Sequence, residues 1–311
     1  MRKRIVIALG GNALGDNPKE QAESSKTTAS AIGDLVEAGH EIAIAHGNGP
    51  QVGMILTAFD TAAKADSQFP VLPLSTCVAL SQGYIGNDLQ NSIRTELNKR
   101  NLKKEIATIV TQVEVDPGDR AFENPTKPIG IFMSKGEAES LRTKGVSVME
   151  DAGRGWRQVV ASPKPVDIVE VETVKAMLAA GQIPISAGGG GIPVVKKDGH
   201  YQAVDAVIDK DFSAAKLAEL IQADMLIILT AVEKVAINFG KPNQQWLDTL
   251  TVAEAQRYIE EDHFAKGSML PKVQAAISFI QSSPENSEAL ITLLTKARDG
   301  IAGRTGTKII R

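Results

Sequence analysis

Short apolar segments of strand length alternate along this chain with segments whose apolar residues recur at helical spacing. The predicted strands cover residues 4–9, 41–45, 106–112, 183–186, 225–229 and 291–294. The predicted helices carry apolar stripes at Ile32, Leu35 and Val36, at Val52, Ile55, Leu56 and Phe59, at Ile85, Leu89, Ile93 and Leu97, at Leu217, Leu220 and Ile221, and at Val273, Ala276, Ile277 and Ile280. Strands that alternate with helices build right-handed β-α-β units, whose sheet is mainly parallel and covered on both faces. The sequence therefore predicts an α/β fold around one mainly parallel sheet.

The charge balance and the single cysteine exclude several classes of function. A net charge of −3 over 311 residues gives no basic surface, so we expect a small ligand and no nucleic-acid partner. Cys77 is the only cysteine, which excludes a disulfide framework and is typical of a reducing compartment. The basic residues 2–4 precede an apolar run too short for a signal peptide, and no run approaches the ~20 apolar residues that span a bilayer. We therefore expect a cytoplasmic protein with no membrane partner.

One long segment, the insert (residues 115–165), breaks the alternation of strands and helices. It is interrupted by Pro117, Pro125, Pro128, Pro163 and Pro165, with glycines between them. Long irregular segments in compact domains are usually lids or binding loops. The sequence predicts a protruding lid here, and a decorative insertion is the alternative.

Glycine-rich loops follow three of the predicted strands. Loop 1 (residues 10–12) follows the first strand, loop 2 (residues 46–50) the second, and loop 3 (residues 186–193) a later one. Because ligands of an open parallel sheet bind beyond the carboxyl ends of its strands, we expect the loops to meet over one crevice. Glycine lets backbone N–H groups approach an anion, so the loops are typical of phosphate binding. The sequence contains no P-loop motif and no G-x-G-x-x-G after the first strand.

Two lysines stand where they can serve a bound phosphate, because each begins a predicted helix. Lys210 lies between Asp209 and Asp211, which predicts an organised ion cluster; a solvated helix start with aspartate as N-cap is the alternative. Pro271 is predicted at the first position of its helix, which puts Lys272 in the first turn. A lysine there opposes the helix dipole unless an anion is bound, and a solvated surface lysine is the alternative.

Two further residues are candidates for ligand contact. Lys127 lies inside the insert between Pro125 and Pro128, which stiffen the backbone and favour a fixed presentation of its charge. His46 precedes the glycines of loop 2, where it either contacts ligand or is a hydrogen-bonded turn histidine. The histidines have no metal-ligand spacing, and no catalytic base is assigned.

Taken together, these segments resemble the carbamate kinases of the amino acid kinase family. The matching blocks are residues 8–12, 46–53, 124–130, 150–157, 162–165, 188–194, 206–212 and 267–272, in the order of that family. The resemblance implies a single domain over residues 1–311, an open, mainly parallel αβα sandwich of the amino acid kinase type. The insert would be its protruding lid-like subdomain, and residues 183–311 its nucleotide-binding half.

The resemblance also implies an activity. It is reversible phosphoryl transfer between carbamoyl phosphate plus ADP and carbamate plus ATP, with Mg²⁺ bound to the nucleotide and two chains in a homodimer. In bacteria such an enzyme often ends arginine catabolism by the arginine deiminase pathway.

Individual residues receive roles from the same resemblance. The catalytic residues would be Lys127, Lys210, Asp211 and Lys272. The substrate and the transferred phosphoryl group would lie against Gly10, Gly11, Asn12, Gly47, Asn48 and Gly49. The nucleotide would lie against Gly188, Gly189, Thr230, Ala231, Val232 and Met269. The chain departs from the family pattern at Ala231, where glycine is common, and at Tyr84 and Asn87.

Ala8 marks a difference from related amino acid kinases, which carry a lysine two residues before the first glycine pair. We predict that Lys127 replaces that lysine from the side of the insert. Two other functions stay open: another amino acid kinase, such as one acting on acetylglutamate or uridylate, and a nucleotide-binding regulator without catalysis. The block of residues 151–156 argues against the first, and the presence of all three lysines argues against the second.

Overall fold

Strands and helices alternate through the part of the chain that the computed structural model describes, residues 2–10, 14–15, 17–151 and 155–311. In chain order the strands are β1 (Arg4–Leu9), β2 (Glu41–His46), β3 (Ile106–Thr108), β4 (Gln112–Val115), β5 (Lys127–Met133), β6 (Val148–Glu150), β7 (Trp156–Val160), β8 (Pro165–Ile168), β9 (Ile183–Ile185), β10 (Ile192–Lys197), β11 (His200–Ala203), β12 (Met225–Thr230), β13 (Val235–Ile237), β14 (Gln245–Leu247), β15 (Thr249–Thr251), β16 (Glu288–Leu293) and β17 (Thr307–Ile310). The helices are α1 (Pro18–Glu37), α2 (Gly49–Ala65), α3 (Leu74–Lys99), α4 (Lys135–Arg142), α5 (Val171–Ala179), α6 (Lys210–Leu220), α7 (Val252–Glu260), α8 (Met269–Ser282) and α9 (Ala297–Ile301). No helix within the described ranges is long and apolar enough to cross a membrane.

An eight-stranded main sheet forms the centre, in the order β15-β17-β16-β12-β1-β2-β9-β3. Neighbouring strands pair in parallel, except that β17 runs antiparallel to β16. Successive residues of β1 point to opposite faces, so Ile5 and Ile7 pack with α1 and α3 while Val6 and Ala8 pack with α6 and α8. Because both faces are covered, the central strands are continuous apolar runs. The predicted mainly parallel α/β sandwich is confirmed.

Two predicted strands are wrong in their extent. Residues 291–294 cover only the second half of β16, which begins at Glu288 and ends at Leu293. Residues 106–112 are not one strand: β3 covers residues 106–108 and joins the main sheet, whereas Gln112 begins β4, which belongs to a second sheet with the order β11-β10-β4-β8. The backbone changes partner between them, since Ile109 N donates to Ile185 O at 2.8 Å and Ile192 N donates to Thr111 O at 2.9 Å. An apolar run does not reveal which neighbour each of its residues pairs with.

The insert contains regular structure of its own. Strands β5, β7 and β6 form a separate three-stranded antiparallel sheet, against which α4 packs. Ser134 and Glu137 form a capping box at the start of α4. Arg157 ties this sheet together, because it donates to Gly130 O at 3.0 Å and pairs with Asp151 at 3.1 Å. The sequence predicts the excursion but not these strands, because glycine and proline interrupt their alternating pattern.

β2 ends in a histidine that water does not reach. His46 is 0% exposed, and its Nδ1 lies 2.7 Å from the carbonyl oxygen of Gly47. Burial lowers the pKa of His46 to about 4, so the ring is neutral at neutral pH and donates from Nδ1. Within the described part of the chain, Nε2 has no hydrogen-bond partner. The structure thus shows the hydrogen-bonded turn histidine, the second of the two alternatives.

Gly86 and Gly83 of α3 offer a matched test of helix packing. A Cβ on Gly86 would lie 2.4 Å from Cγ2 and 3.0 Å from Cβ of Thr108, whereas a Cβ on Gly83 would meet no described atom within 4 Å. We expect Gly86→Ala to lower the free energy of unfolding by about 1 to 3 kcal/mol through overpacking against β3. Gly83→Ala should leave it unchanged or raise it by up to about 1 kcal/mol, because alanine is the better helix former. Urea unfolding measures both, and equal stability of the two variants would contradict this packing.

His46 should make stability depend on pH. Its pKa is about 4 in the folded chain and 6.5 ordinarily, so the unfolded chain binds the proton first as the pH falls. The contribution of the neutral His46 ring to the free energy of unfolding is therefore complete above pH 6.5. It falls by about 3 kcal/mol as the pH falls toward 4. Between about pH 7 and about pH 4.5, we expect the free energy of unfolding, measured in urea, to fall less in His46→Asn than in the parent. Replacing the exposed His200 by asparagine is the control, and that variant should lose as much as the parent. The same loss in His46→Asn as in the parent would contradict the assignment.

Candidate active site

The glycine-rich loops converge at the carboxyl edge of the main sheet, where β1, β2 and β9 end side by side. Loop 2 is tied to β1, because Gly47 N donates to Leu9 O at 3.0 Å. Of loop 1, Gly10 lies beside the end of β12, while Gly11 and Asn12 fall outside the described residues. The strand order thus brings these loops to one crevice.

Loop 3 closes against loop 2. Gly189, at φ +66°, approaches Asn48 so closely that a Cβ would lie 2.2 Å from Asn48 Nδ2. Gly188 approaches His46 in the same way, since a Cβ there would lie 2.5 Å from His46 Nε2. Only glycine fits at these two contacts. The backbone of loop 3 therefore lies directly against the side chains of His46 and Asn48 in loop 2. Glycine-rich loops placed together in this way can present N–H groups to an anion.

A polar patch on α3 holds both loops. Asn48 Nδ2 donates to Ser81 Oγ at 2.9 Å, and Gln82 Nε2 donates to the carbonyl oxygen of Gly188 at 2.9 Å. Because Asn48 is engaged in this way, its side chain does not cap α2, whose first residue is Gly49. A helix start without a side-chain cap suits an anion. Ser81 and Gln82 were not predicted as site residues from the sequence, although a polar pair on the apolar face of α3 is a signal for such a role.

Asp211 pairs with the ammonium groups of two lysines beside loop 2. Lys272 Nζ donates to Asp211 Oδ2 at 2.9 Å, and Lys210 Nζ lies 3.3 Å from each carboxylate oxygen. Asp211 is 1% exposed and Lys272 9% exposed, so neither is the solvated surface group of the alternatives. The stem of Lys210 lies against Gly47, where a Cβ would be 2.9 Å from Lys210 Cδ. These three charged residues are the lysine–aspartate cluster.

The charges of the lysine–aspartate cluster do not balance. Burial lowers the pKa of Lys272, and the nearby charge of Lys210 lowers it further. Burial also disfavours the charge of Lys210, but Asp211 and Asp209 outweigh it and raise the pKa of Lys210. Two ammonium groups that share one carboxylate leave a positive charge, which an anion in the crevice would neutralise.

The two helices that carry the lysine–aspartate cluster begin in different ways. Asp209 is the N-cap of α6 and accepts from Asp211 N at 3.0 Å, so the capping part of that alternative is right. The predicted start of α8 is wrong, because the helix begins at Met269 and Pro271 is its third residue. Proline is tolerated there, since its missing N–H is one of the first four that lack a partner in any helix. Lys272 follows as the fourth residue.

The insert reaches the same crevice through Lys127. Lys127 Nζ donates to Asp209 Oδ2 at 2.6 Å. Burial would raise the pKa of Asp209, but Lys127 and Lys210 outweigh burial and hold it well below its usual range. The structure therefore brings the four residues that the resemblance assigns to catalysis together, with Asp209 as a fifth charged group among them.

A cavity of about 190 Å³ opens at the end of β12. Its lining includes residues that the resemblance assigns to the nucleotide, namely Thr230, Ala231, Val232 and Met269. Phe239 and Trp246 form another wall and meet edge-on, with ring centroids 6.1 Å apart. Neither aromatic residue was predicted from the sequence, because no motif or spacing marks Phe239 or Trp246. An apolar slot with an aromatic wall suits a planar ring. Gly188 and Gly189, assigned to the same ligand, lie instead against loop 2.

The described side chains do not form a metal cage. Within residues 2–10, 14–15, 17–151 and 155–311, no group of three or more histidine, cysteine, aspartate or glutamate residues could hold a metal ion. Lysines outnumber carboxylates in the crevice, which suits an anion. A divalent cation would enter such a site on the phosphates of its ligand, as Mg²⁺ usually does.

Comparisons with known proteins agree with this arrangement. The sequence profile of the amino acid kinase family matches residues 3–291. The chain is 62% identical to the carbamate kinase-like protein YqeA of Escherichia coli strain K12, over 99% of each chain. It is 52% identical to the carbamate kinase of Clostridium perfringens, over 99% of this chain and 100% of that one. The solved carbamate kinase of Giardia lamblia bound to AMP-PNP is 40% identical, with a TM-score of 0.91 over 99% of this chain and 98% of that one.

The relatives match from end to end, so the blocks quoted above are part of a likeness that extends over the whole chain. The resemblance predicted from the sequence is confirmed. The chain belongs to the amino acid kinase family and, within it, to the carbamate kinases.

Proposed function

We propose that the protein is a carbamate kinase that catalyses reversible phosphoryl transfer between carbamoyl phosphate plus ADP and carbamate plus ATP. The observation that carries this proposal is the convergence of Lys127, Lys210 and Lys272 around the buried carboxylate of Asp211 and the partly buried carboxylate of Asp209, beside glycine-rich loops and an apolar cavity. The relatives named carbamate kinase, at 52% and 40% identity, support the choice of substrates.

The reaction requires positioning and charge neutralisation more than a base. An oxygen of the ADP β-phosphate forms a bond to phosphorus, the bond from phosphorus to the carbamoyl oxygen breaks, and carbamate leaves as an anion. No proton needs to move, which agrees with a crevice whose buried histidine is neutral and turned to its own backbone. The chain's contribution is electrostatic stabilisation of the transferring group.

In this proposal, the lysines approach the transferring phosphoryl group from different elements of the fold. Lys210 and Lys272 approach from α6 and α8, where Asp211 fixes their ammonium groups. Lys127 approaches from the insert. Backbone N–H groups of loops 1 to 3 bind the phosphoryl oxygens, with Gly188 and Gly189 on this side rather than beside the base.

The nucleotide occupies the cavity at the end of β12. Its base would lie between Ala231 and Met269 on one side and the aromatic pair Phe239 and Trp246 on the other. Its phosphates would point toward the lysine–aspartate cluster, because Met269 and Lys272 lie one turn apart on α8. Mg²⁺ travels with those phosphates and would neutralise part of their charge.

The insert serves as a lid in this proposal. Its sheet is held together by Arg157, so it can move as one body over the crevice. The remaining proposals rest on the resemblance: residues 183–311 as the nucleotide-binding half, a homodimer, a cytoplasmic location and a place at the end of arginine catabolism. Light scattering of the purified protein tests the homodimer.

A coupled assay that forms ATP from ADP and carbamoyl phosphate tests the function. We expect turnover with Mg²⁺, and we expect Lys210→Ala and Lys272→Ala to lower kcat by about 10²-fold or more, since each removes a positioned charge. Lys216→Ala is the control, because Lys216 lies on the same helix as Lys210 and pairs with Glu219 at 2.8 Å. Phosphorylation of acetylglutamate without turnover of carbamoyl phosphate would indicate another amino acid kinase. Nucleotide binding without any turnover would indicate a regulator.

Lys127 is tested by separating turnover from nucleotide affinity. Lys127→Ala should lower kcat by roughly 10²- to 10³-fold, about 3 to 4 kcal/mol, and leave the Kd for ADP nearly unchanged, because no described residue of the insert lines the nucleotide cavity. Lys144→Ala, an exposed lysine of the same insert, is the control. Full activity of Lys127→Ala, or a loss confined to ADP binding, would rule out the proposed role.

A further inference from the structure

Asp209 makes two separate contacts with its two carboxylate oxygens. Oδ2 accepts from Lys127 Nζ at 2.6 Å, and Oδ1 accepts from the backbone N–H of Asp211 at 3.0 Å. The first contact joins the insert to the body of the chain across 82 residues. The second caps α6, which carries Lys210 and Asp211. One carboxylate therefore connects the lysine of the insert to the helix of the lysine–aspartate cluster.

We propose that Asp209 is a positioning residue, which fixes the direction in which Lys127 presents its ammonium and ties the insert to the lysine–aspartate cluster. The catalytic part of this proposal rests on the proposed carbamate kinase activity. The tie between the insert and α6 does not.

The geometry of the ammonium explains the positioning. A lysine has three N–H donors at the end of a flexible four-carbon stem. Asp209 accepts one of them at 2.6 Å and leaves two for oxygens of a substrate. Because Asp209 is itself held by the N-cap bond to α6, the free donors point in a direction set by the helix that carries Lys210. Without that anchor, the stem of Lys127 can rotate away from the reacting atoms.

The charges explain the tie. Lys127, Lys210 and Lys272 form ion pairs with Asp209 and Asp211, and Lys164 lies near enough to Asp209 for the two charges to interact. Removing the charge of Asp209 leaves the three paired lysines with Asp211 alone. Lys210 and Lys272 are fixed on packed helices, whereas Lys127 begins β5 of the insert sheet, which packs on α2 through Ile129 and Val52. Like-charge repulsion would therefore act on the insert against this packing and loosen it in the ligand-free protein.

Asp209→Asn separates the charge from the helix cap. Asparagine is as good an N-cap as aspartate, so α6 keeps its start while the ion pair with Lys127 is lost. We expect kcat for carbamoyl phosphate to fall by roughly 10- to 100-fold, because a misplaced charge is costly to the transition state, with the Kd for ADP nearly unchanged. Asp205→Asn, an exposed aspartate four residues earlier, is the matched control and should keep the parental kcat.

A double mutant distinguishes positioning from a structural role. If Asp209 acts through Lys127, then adding Asp209→Asn to Lys127→Ala should change kcat by less than about 2-fold. A parental kcat in Asp209→Asn would overturn the positioning role. A decrease in kcat of the same size when Asp209→Asn is added to the parent and to Lys127→Ala would also overturn it, because Asp209 would then act through α6 alone.

Hydrogen exchange tests the tie without any catalysis. In the ligand-free protein, amides of residues 127–160 should exchange several-fold faster in Asp209→Asn and in Lys127→Ala than in the parent, and at the parental rate in Asp205→Asn. Unchanged exchange in both variants would overturn the tie. If the parent forms no ATP from carbamoyl phosphate, the proposed function and the positioning role fail together, and this measurement still decides whether Asp209 holds the insert.

Discussion

The buried carboxylate of Asp211 is the interaction on which the crevice depends. It is 1% exposed and holds one ammonium from α6 and one from α8. Burying these charges is costly, and removing one partner of such a group leaves an uncompensated charge that is more costly still. The lysine–aspartate cluster therefore fixes how α6 and α8 stand relative to each other at their first turns. The positive charge that remains is the feature that an anionic ligand recognises.

The lysine–aspartate cluster places Lys272 where its charge is disfavoured. Lys272 lies in the first turn of α8, where the helix dipole and Lys210 both disfavour its charge. Ser268 makes no side-chain cap there, Leu270 N donates to Ala265 O at 3.1 Å, and Pro271 has no N–H. A phosphate beside the lysines would therefore act mainly by neutralising their charge. The uncompensated positive charge of the cluster is therefore the feature that favours an anion in the crevice.

The centre of the fold could be predicted from the sequence because local pattern determines it. β1, β2 and β12 are apolar runs that are buried on both faces, and their loops follow from the strand order. The division of residues 106–112 between two sheets could not be predicted, since it depends on backbone partners at Ile185 and Ile192. The strands of the insert were hidden for a similar reason, because their pairing interrupts the alternation that identifies strands.

The candidate site divides in the same way. The glycines and lysines were visible because their residue types and their places at strand ends and helix starts carry chemical meaning. Asp209 looked like a helix cap and is one, but its ion pair with Lys127 joins residues 82 positions apart, and no spacing reveals such a contact. Phe239 and Trp246 lie near the hairpin of β13 and β14 and become a wall only when β12 and α8 are placed beside them.

Packing also bears on the proposal that Lys127 of the insert supplies a third cation. Ala8 lies on the face of β1 that packs against α6, together with Ala45 of β2 and with Ala214 and Ala218 of the helix, all 0% exposed. These small side chains let α6 approach the sheet closely. That approach brings the stem of Lys210 against Gly47. A lysine at position 8 would have to enter the space that α6 fills, at a cost typical of overpacked cores. A fold that seats Lys210 so close to the sheet therefore disfavours a lysine at position 8 of β1, which supports the proposal that Lys127 supplies the cation from the insert.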